Sequence, residues 1–434
     1  MKIEVRDENF AVLKEHTKEE WTQIRSLLSY KTQTFIRGRW TAIPHYLIHG
    51  KTKVFPTGLL SIITSKFKVE ITDLRPKRIP ITLPENIPLD TYQKQIMSDA
   101  LRYQRAIVNV PTGAGKTYTF STFAAYIDRS TIIITPTQEI LSQVVEHITK
   151  YTTDIRVMWN TSHTTFDKRI IVTTSGTLNS RFDFLKEEGK KIEVMISDEA
   201  HFYGANSFFR ISHLFPNAWI RLGFSGTPIG RSDNADLRTL SVFSPHIVTY
   251  QGEIERIVPV KVFLVDYCSN TRWSDPEDYE QLLEDVERQE AIVKLVNILR
   301  KEKLTPYLVF VDRIKYGETL SEKLSIPLIT STSLERDTIF DDLRNEKLEG
   351  IVTTVGWIGL DIPNLKAVVN TSRETTLISL GQKAGRVRRK MGKDVGIVFD
   401  FLDRGRLPNR WARKRRKTYE SLGFEVIQAK LHLK

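Results

Sequence analysis

The 434-residue chain has a single cysteine, Cys268. One thiol excludes an intrachain disulfide and a cysteine-based zinc site, and points to a reducing, intracellular compartment. Long hydrophobic runs are also missing. The longest apolar stretches, such as "STIIIT" (130–135) and "AVVN" (367–370), are far too short to span a bilayer, so no membrane partner is expected. The opening residues, "MKIEVRDENF", lack the charged-then-apolar pattern of a secretory signal. No internal sequence repeat and no nuclease-like carboxylate cluster is visible. What remains is 40% hydrophobic and 27% charged, an ordered globular composition, at a length that suits two or three domains.

Negative charge is scarce in two places. The whole chain carries 64 Lys and Arg against 52 Asp and Glu, a net +12. Residues 1–88 hold 15 basic and 9 acidic side chains, half of that surplus. Between Glu20 and Glu70 there is no acid at all, while Arg25, Lys31, Arg37, Arg39, Lys51, Lys53, Lys66 and Lys68 are interleaved with Trp21, Tyr30, Phe35, Trp40, Tyr46 and Phe55. A solvated basic face over core aromatics has the same composition. A stretch with nothing to repel phosphate fits a nucleic-acid surface better, with Arg37 and Arg39 as candidate contacts. A second acid-free run, "RGRLPNRWARKRRK" (404–417), holds eight basic residues. It suits a helix lying along duplex phosphates, with Arg413 and Arg416 as contacts. A nuclear-import signal or a plain solvated face remains open.

The remaining chain has a clear texture. A helix is expected around 17–30 and a strand at 68–72, followed by a linker punctuated by Pro76, Pro80, Pro84 and Pro88. From about 89, short apolar strands alternate with helical segments: 106–110, 131–135, 169–173, 193–197 and 221–225. The alternation restarts at 260–267, with a long helix at 277–303 and strands at 307–311, 350–354, 367–370 and 395–401. Buried parallel strands read this way. The expected fold is α/β, with two doubly wound parallel-sheet domains at 86–255 and 256–434 preceded by a small α+β domain at 1–85.

"VPTGAGKT" (110–117) follows a strand and opens a helical pattern. Pro111, Thr112, Gly113, Ala114 and Gly115 form a loop whose amides can cradle phosphate. Lys116 would reach the outer phosphates and Thr117 would offer its hydroxyl to Mg²⁺. Val110 stands where the motif usually has its first glycine. "ISDEAH" (196–201) ends another strand in Asp198, placed for Mg²⁺, and Glu199, placed to activate water. The two motifs together specify hydrolysis of ATP. Tyr92 and Gln93, about twenty residues before the loop, suit stacking on adenine and reading its edge, or an ordinary helix start.

Six further segments complete a pattern: "TPTQEIL" (135–141), "TTSGTL" (173–178), "SGTP" (225–228), "LVFVDR" (308–313), "TTVGWIGLDIP" (353–363) and "QKAGRVRRK" (382–390). In this order they resemble the superfamily 2 helicases and translocases over most of residues 89–402. The flanking "FPTGLL" (55–60) and "GRVRRKMGKDVGIVFDF" (385–401) are similar to the branch holding XPB and UvsW. That resemblance implies two RecA-like domains with ATP and Mg²⁺ between them. Gln382, Arg386 and Arg389 would arrive from the second domain to stabilise charge on the γ-phosphoryl group. It further implies backbone contacts to nucleic acid from Thr135, Pro136, Thr137, Thr173, Thr174, Ser175 and Thr353. Gly359 and Asp361 would couple that track to the cleft, and His201, Ser225 and Thr227 would link nucleotide state to domain position. Trp357 suits either a stacking wedge or the core. The implied activity is an ATP-driven DNA helicase or branch-migration motor on forks, junctions and single-/double-strand boundaries, tracking 3′ to 5′. A duplex translocase that separates no strands and an RNA helicase are the alternatives. The expected setting is cytoplasmic, the host's if phage-encoded. A monomer is compatible with the sequence, and protein partners are left open.

Overall fold

The computed structural model describes residues 1–36, 39–159, 165–231, 233–268, 276–355 and 362–433. Arg37, Trp357, Gly359 and Asp361, singled out above, lie outside the described residues. The chain divides into two compact units: Met1–Pro111 with Gly115–Gly252, and Glu253–Lys434 with Thr112–Ala114.

The first unit begins with β1 (Lys2–Val5), β2 (Phe10–Glu15), β3 (Ser29–Ile36), β4 (Arg39–Tyr46), β5 (Val54–Pro56) and β6 (Glu70–Asp73). Four of these make a small sheet ordered β5-β2-β1-β6, whereas β3 and β4 pair only with each other. The helix Lys18–Leu27 starts on a capping box. Thr17 Oγ accepts from the Glu20 amide at 3.1 Å, and the Glu20 carboxylate accepts from the Thr17 amide at 2.7 Å. Ile24 drives that helix into a small core with Ile3, Val5, Leu13, Phe55 and Leu59. Residues 74–90 contain no helix or strand, as the four prolines predict.

The large sheet of this unit takes β7 (Arg105–Asn109), β8 (Thr131–Thr135), β9 (Ile155–Met158), β10 (Ile170–Thr174), β11 (Val194–Ser197), β12 (Ile220–Ser225) and β13 (Ile247–Thr249). Its order is β13-β7-β12-β11-β8-β10-β9, with every pairing parallel. All of β8, β10, β11 and β12 is buried, which is why those strands read as mainly apolar runs, Arg221 of β12 being the charged exception. The edge strands β9 and β13 are partly exposed and escaped the apolar pattern.

The second unit repeats the architecture with β14 (Val260–Cys268), β15 (Tyr307–Phe310), β16 (Leu328–Ile329), β17 (Gly350–Thr353), β18 (Ala367–Asn370), β19 (Gly396–Phe401) and β20 (Glu425–His432). The order is β16-β17-β15-β18-β19-β14-β20, again all parallel. The two sheets and their flanking helices are a tandem of RecA-like α/β folds. The single helix expected at 277–303 is two, Tyr279–Glu284 and Val286–Lys301. Asp285 divides them by leaving the helical conformation and accepting from the amides of Glu287 and Arg288.

Buried arginines tie distant segments together in each unit. In the first, Arg221 of β12 is fully buried and donates to Asn9 Oδ1 (2.6 Å), Phe215 O (2.6 Å) and Ala218 O (3.0 Å). Arg105 of β7 donates to Glu8 O at 2.7 Å, and the Glu8 amide donates to Pro216 O at 3.0 Å. The small N-terminal sheet is thus hydrogen-bonded directly to the large one. Burial lowers both arginines from their usual range, Arg221 to about 10.

In the second unit Arg415, inside the basic run, is 1% exposed. It bonds Asp400 at 2.9 Å and Asp403 at 3.0 Å. Arg288 meets Asp403 from the other side at 2.8 Å, and Tyr419 donates to Asp400 at 2.8 Å. Neighbouring Arg416 is exposed and pairs only with Glu420, one turn on. Arg415→Ala takes the guanidinium from buried Asp400 while Asp403 keeps Arg288, and is expected to cost about 3–5 kcal/mol. Arg416→Ala is expected to cost about 0.5 kcal/mol or less. Urea denaturation of the two variants measures the contrast.

Candidate nucleotide site and nucleic-acid contacts

The order of the first large sheet places β7, β12 and β11 side by side, so their carboxyl ends deliver three motifs to one edge. Asn109 of β7 lies opposite Ser225 of β12, and Gly223 of β12 lies opposite Ser197 of β11. The loop after β7 turns through left-handed conformations at Gly113 (φ +87°) and Gly115 (φ +84°). A side chain is disfavoured at both. Gly115 caps the helix Lys116–Tyr126, so free amides of its first turn lie where the motif needs them.

Asp198 follows β11 and is 4% exposed. Burial, reinforced by the neighbouring Glu199 carboxylate and opposed by Lys116, pushes its pKa up to about 7. A buried carboxyl that resists ionisation is suited to a cation. Thr117 would offer a second hard oxygen of the kind Mg²⁺ prefers, leaving the other positions of such an ion to nucleotide phosphates and water. Among the described residues no group of three His, Cys, Asp or Glu could hold a metal.

Glu199 adopts φ +50°, ψ +56°, a conformation uncommon for non-glycine residues. From there its two oxygens reach different motifs. Oε1 pairs with Lys116 Nζ at 3.2 Å, and Oε2 lies 3.3 Å from His201 Nδ1. His201 Nδ1 is also 3.1 Å from Ser225 Oγ, which accepts from the Thr227 amide at 3.2 Å. A continuous polar chain thus runs Lys116–Glu199–His201–Ser225–Thr227, joining all three residues foreseen as a link to the phosphate loop.

The adenine candidates are placed differently from their simplest reading. Gln93 is fully buried, accepts from the Asp90 amide at 3.1 Å and donates to the Tyr92 hydroxyl at 3.1 Å. Tyr92 packs at a tilt against Tyr250, ring centroids 5.7 Å apart. An adenine edge read by Gln93 would have to replace those two hydrogen bonds.

Candidate nucleic-acid contacts of the first unit gather at the ends of adjacent β8 and β10, where Thr135 lies opposite Thr174. The hydroxyls are already used within the fold. Thr135 donates to Thr137 O and Thr173 to Met158 O, while Thr137 and Thr174 cap the helices that follow. Pro136 and Thr137 are partly exposed, and Ser175 is largely buried. In the second unit Thr353 ends β17, is buried and donates to Ile329 O at 3.1 Å. Gln382 lies on the helix Leu377–Gly385, Arg386 caps it, and Arg389 leaves the following turn in extended conformation. Two main-chain bonds hold the stretch around Arg389, Val258 N to Arg388 O (2.7 Å) and Lys390 N to Arg256 O (3.0 Å).

Arg413 is exposed on the helix Arg406–Ser421, with Arg406, Asn409, Arg410, Lys414 and Lys417 lining one shallow concavity. Their spacing of three and four residues puts them on one face. Arg39 is exposed on β4. No described helix is long and apolar enough to cross a membrane. The sequence reading missed the β3–β4 ribbon and the internal use of Arg415. The ribbon's strands are largely exposed with little apolar alternation, so no clear signal marked either feature.

Fold and site together define an ATP-dependent nucleic-acid motor with two RecA-like units. Residues 86–230 match the family model described as the res subunit of type III restriction enzymes, and 287–391 match the helicase conserved C-terminal domain. The chain is 24% identical over 391 residues to the DNA 3′-5′ translocase XPB2 of Sulfurisphaera tokodaii, covering 77% of this chain and 86% of that one. It is 23% identical over 357 residues to the ATP-dependent DNA helicase UvsW of Enterobacteria phage T4, covering 75% and 70%. Among solved structures, S. cerevisiae Dbp5 bound to RNA and ADP-BeF3 matches 80% of this chain and 95% of its own, at 18% identity and a TM-score of 0.58. The chain belongs to the superfamily 2 helicases, in the branch of XPB and UvsW.

Neutral His201 is part of the polar chain. Its burial, partly offset by Glu199, lowers its pKa from 6.5 to about 4. The folded state therefore binds its proton later than the unfolded state. The stability this contributes is complete above pH 6.5 and is lost as pH falls toward 4. A loss of about 3 kcal/mol is expected over that window. His213, also lowered to about 4 by burial, adds a similar loss. Asp198, raised to about 7, contributes in the opposite direction as pH falls. His201→Asn should therefore make stability fall less steeply from pH 6.5 to 4 in chemical denaturation than in the wild type, and an unchanged slope would contradict this assignment.

Proposed function

We propose that this chain unwinds or branch-migrates forked and junction DNA, and that ATP hydrolysis is tied to closure of its two RecA-like units. The observation that carries the reading is the Lys116–Glu199–His201–Ser225 chain. Each of the two roles assigned to this pair, Lys116 on phosphate and Glu199 on water, requires the pair to separate. Nucleotide entry is then felt at His201 and Ser225, whose strand end adjoins the loop. Gln382, Arg386 and Arg389 are assigned to stabilising the charge that accumulates on the transferred phosphoryl group. Hydroxyls and main-chain amides at strand ends hold a nucleic-acid backbone without reading bases, as a motor that steps along any sequence requires.

DNA is favoured as the track by the printed activities of XPB2 and UvsW and by the acid-free basic stretch in residues 21–69. A second reading, duplex translocation without strand separation, is supported by the match of 86–230 to a restriction-enzyme subunit and by the description of XPB2 as a translocase. The two separate on a panel of fork, four-way junction, blunt duplex and RNA duplex at one fixed salt concentration. The proposal expects product from the fork and the junction. Stimulated ATP turnover with no separated strands on any substrate would favour translocation, and preference for the RNA duplex would overturn both. Lys116→Ala should abolish nucleic-acid-stimulated turnover while leaving DNA binding largely intact, as read by phosphate release and by anisotropy on labelled DNA.

A further inference from the structure

The ribbon β3–β4 has a free outer end bearing two aromatic side chains in water. Phe35 and Trp40 lie directly opposite each other, 59% and 71% exposed, with ring centroids 5.4 Å apart. They cover each other and no core. Scattered exposed apolar residues are ordinary, but a cross-strand pair of large rings on an unsupported ribbon is not explained by packing.

The ribbon is anchored at its other end. Tyr30 is buried and stacks on His45 at 5.0 Å, with the Arg238 guanidinium 5.4 Å from its ring. Asn234 Nδ2 donates to Lys31 O at 3.2 Å, and Thr32 Oγ lies 2.8 Å from His45 Nε2. Both Asn234 and Arg238 belong to the first motor sheet's half of the unit, so the ribbon base is fastened to the motor rather than to the small sheet alone.

The charge around the aromatic pair selects its partner. No carboxylate occurs from Trp21 to Val69. Lys31 and Arg39 are exposed on the ribbon, and Arg25 lies 4.2 Å over the ring of Tyr46. Alternation puts Lys31, Phe35, Trp40 and Tyr46 on one face of the ribbon. Aromatic rings interleaved with unopposed cations are the chemistry of a base-stacking platform beside a phosphate backbone.

We propose that Phe35 and Trp40 form a stacking pin that receives bases at a single-/double-strand boundary of DNA and holds the strands apart as the motor pulls. This deepens the reading above and rests on it. Other occupants of the rings, such as a second copy of this chain, are outcomes of the test.

The experiment uses the full chain with Phe35→Ala and Trp40→Ala combined, on a fork carrying a fluorescent base analogue at the junction. Unwinding is expected to fall about tenfold or more, with ATP turnover at saturating single-stranded DNA unchanged and quenching of the analogue lost. The conservative pair Phe35→Tyr and Trp40→Phe should retain both. Equal unwinding and equal quenching by wild type and the Ala variant would overturn the pin. So would a change confined to self-association in sedimentation. If wild type itself separates no strands, the functional reading fails, and quenching alone decides whether the rings meet DNA.

Discussion

Glu199 holds Lys116 with one carboxylate oxygen and His201 with the other, from a left-handed backbone conformation. That geometry depends on the sheet. Parallel strands ordered β7-β12-β11 bring the phosphate loop, Ser225 and the acidic motif to one edge, although 108 residues of sequence lie between Lys116 and Ser225. Burial then gives each group its state. Asp198 resists ionisation until a cation or phosphate-bound ion favours it, while His201 stays neutral and able to bridge. The arrangement is poised because its central ion pair has to break for either partner to act on a nucleotide.

The second constraint is the attachment of the N-terminal segment to the first motor sheet through Glu8 O, which accepts from Arg105, and Asn9 Oδ1, which accepts from Arg221. Buried guanidiniums are costly to desolvate and are tolerated only where several acceptors meet them. Arg221 has such a set, from Asn9 as well as from its own sheet's loops. The basic segment, its ribbon and the helix Lys116–Tyr126 that carries Lys116 therefore share one compact unit. A DNA-gripping surface fixed to the loop half of a motor moves with it, and the proposed pin requires that.

Legibility from sequence followed burial. Strands buried on both faces, such as Thr131–Thr135 and Ala367–Asn370, were read at their observed bounds because apolar side chains dominate there. The phosphate loop and acidic motif were equally plain, since their chemistry dictates residue type at fixed spacing. What was not legible depends on partners far away in sequence. Arg415 looks like its exposed neighbours until Asp400 and Asp403 are seen around it. The bonds of the Gln93 amide to Asp90 and Tyr92 are likewise invisible in the sequence. The ribbon's exposed strands carry too little apolar alternation to announce themselves, and Asp285 splits a helix through a side-chain bond that periodicity does not register.

The central proposal assigns Arg389 to stabilising charge on the transferred phosphoryl group. Binding of a transition-state analogue, ADP with aluminium fluoride, tests it most directly in wild type and Arg389→Ala, beside binding of a non-hydrolysable ATP analogue. The account predicts that the variant loses affinity for the transition-state analogue by about a hundredfold or more while ATP-analogue affinity changes little. Equal affinity of the two proteins for the transition-state analogue would contradict it.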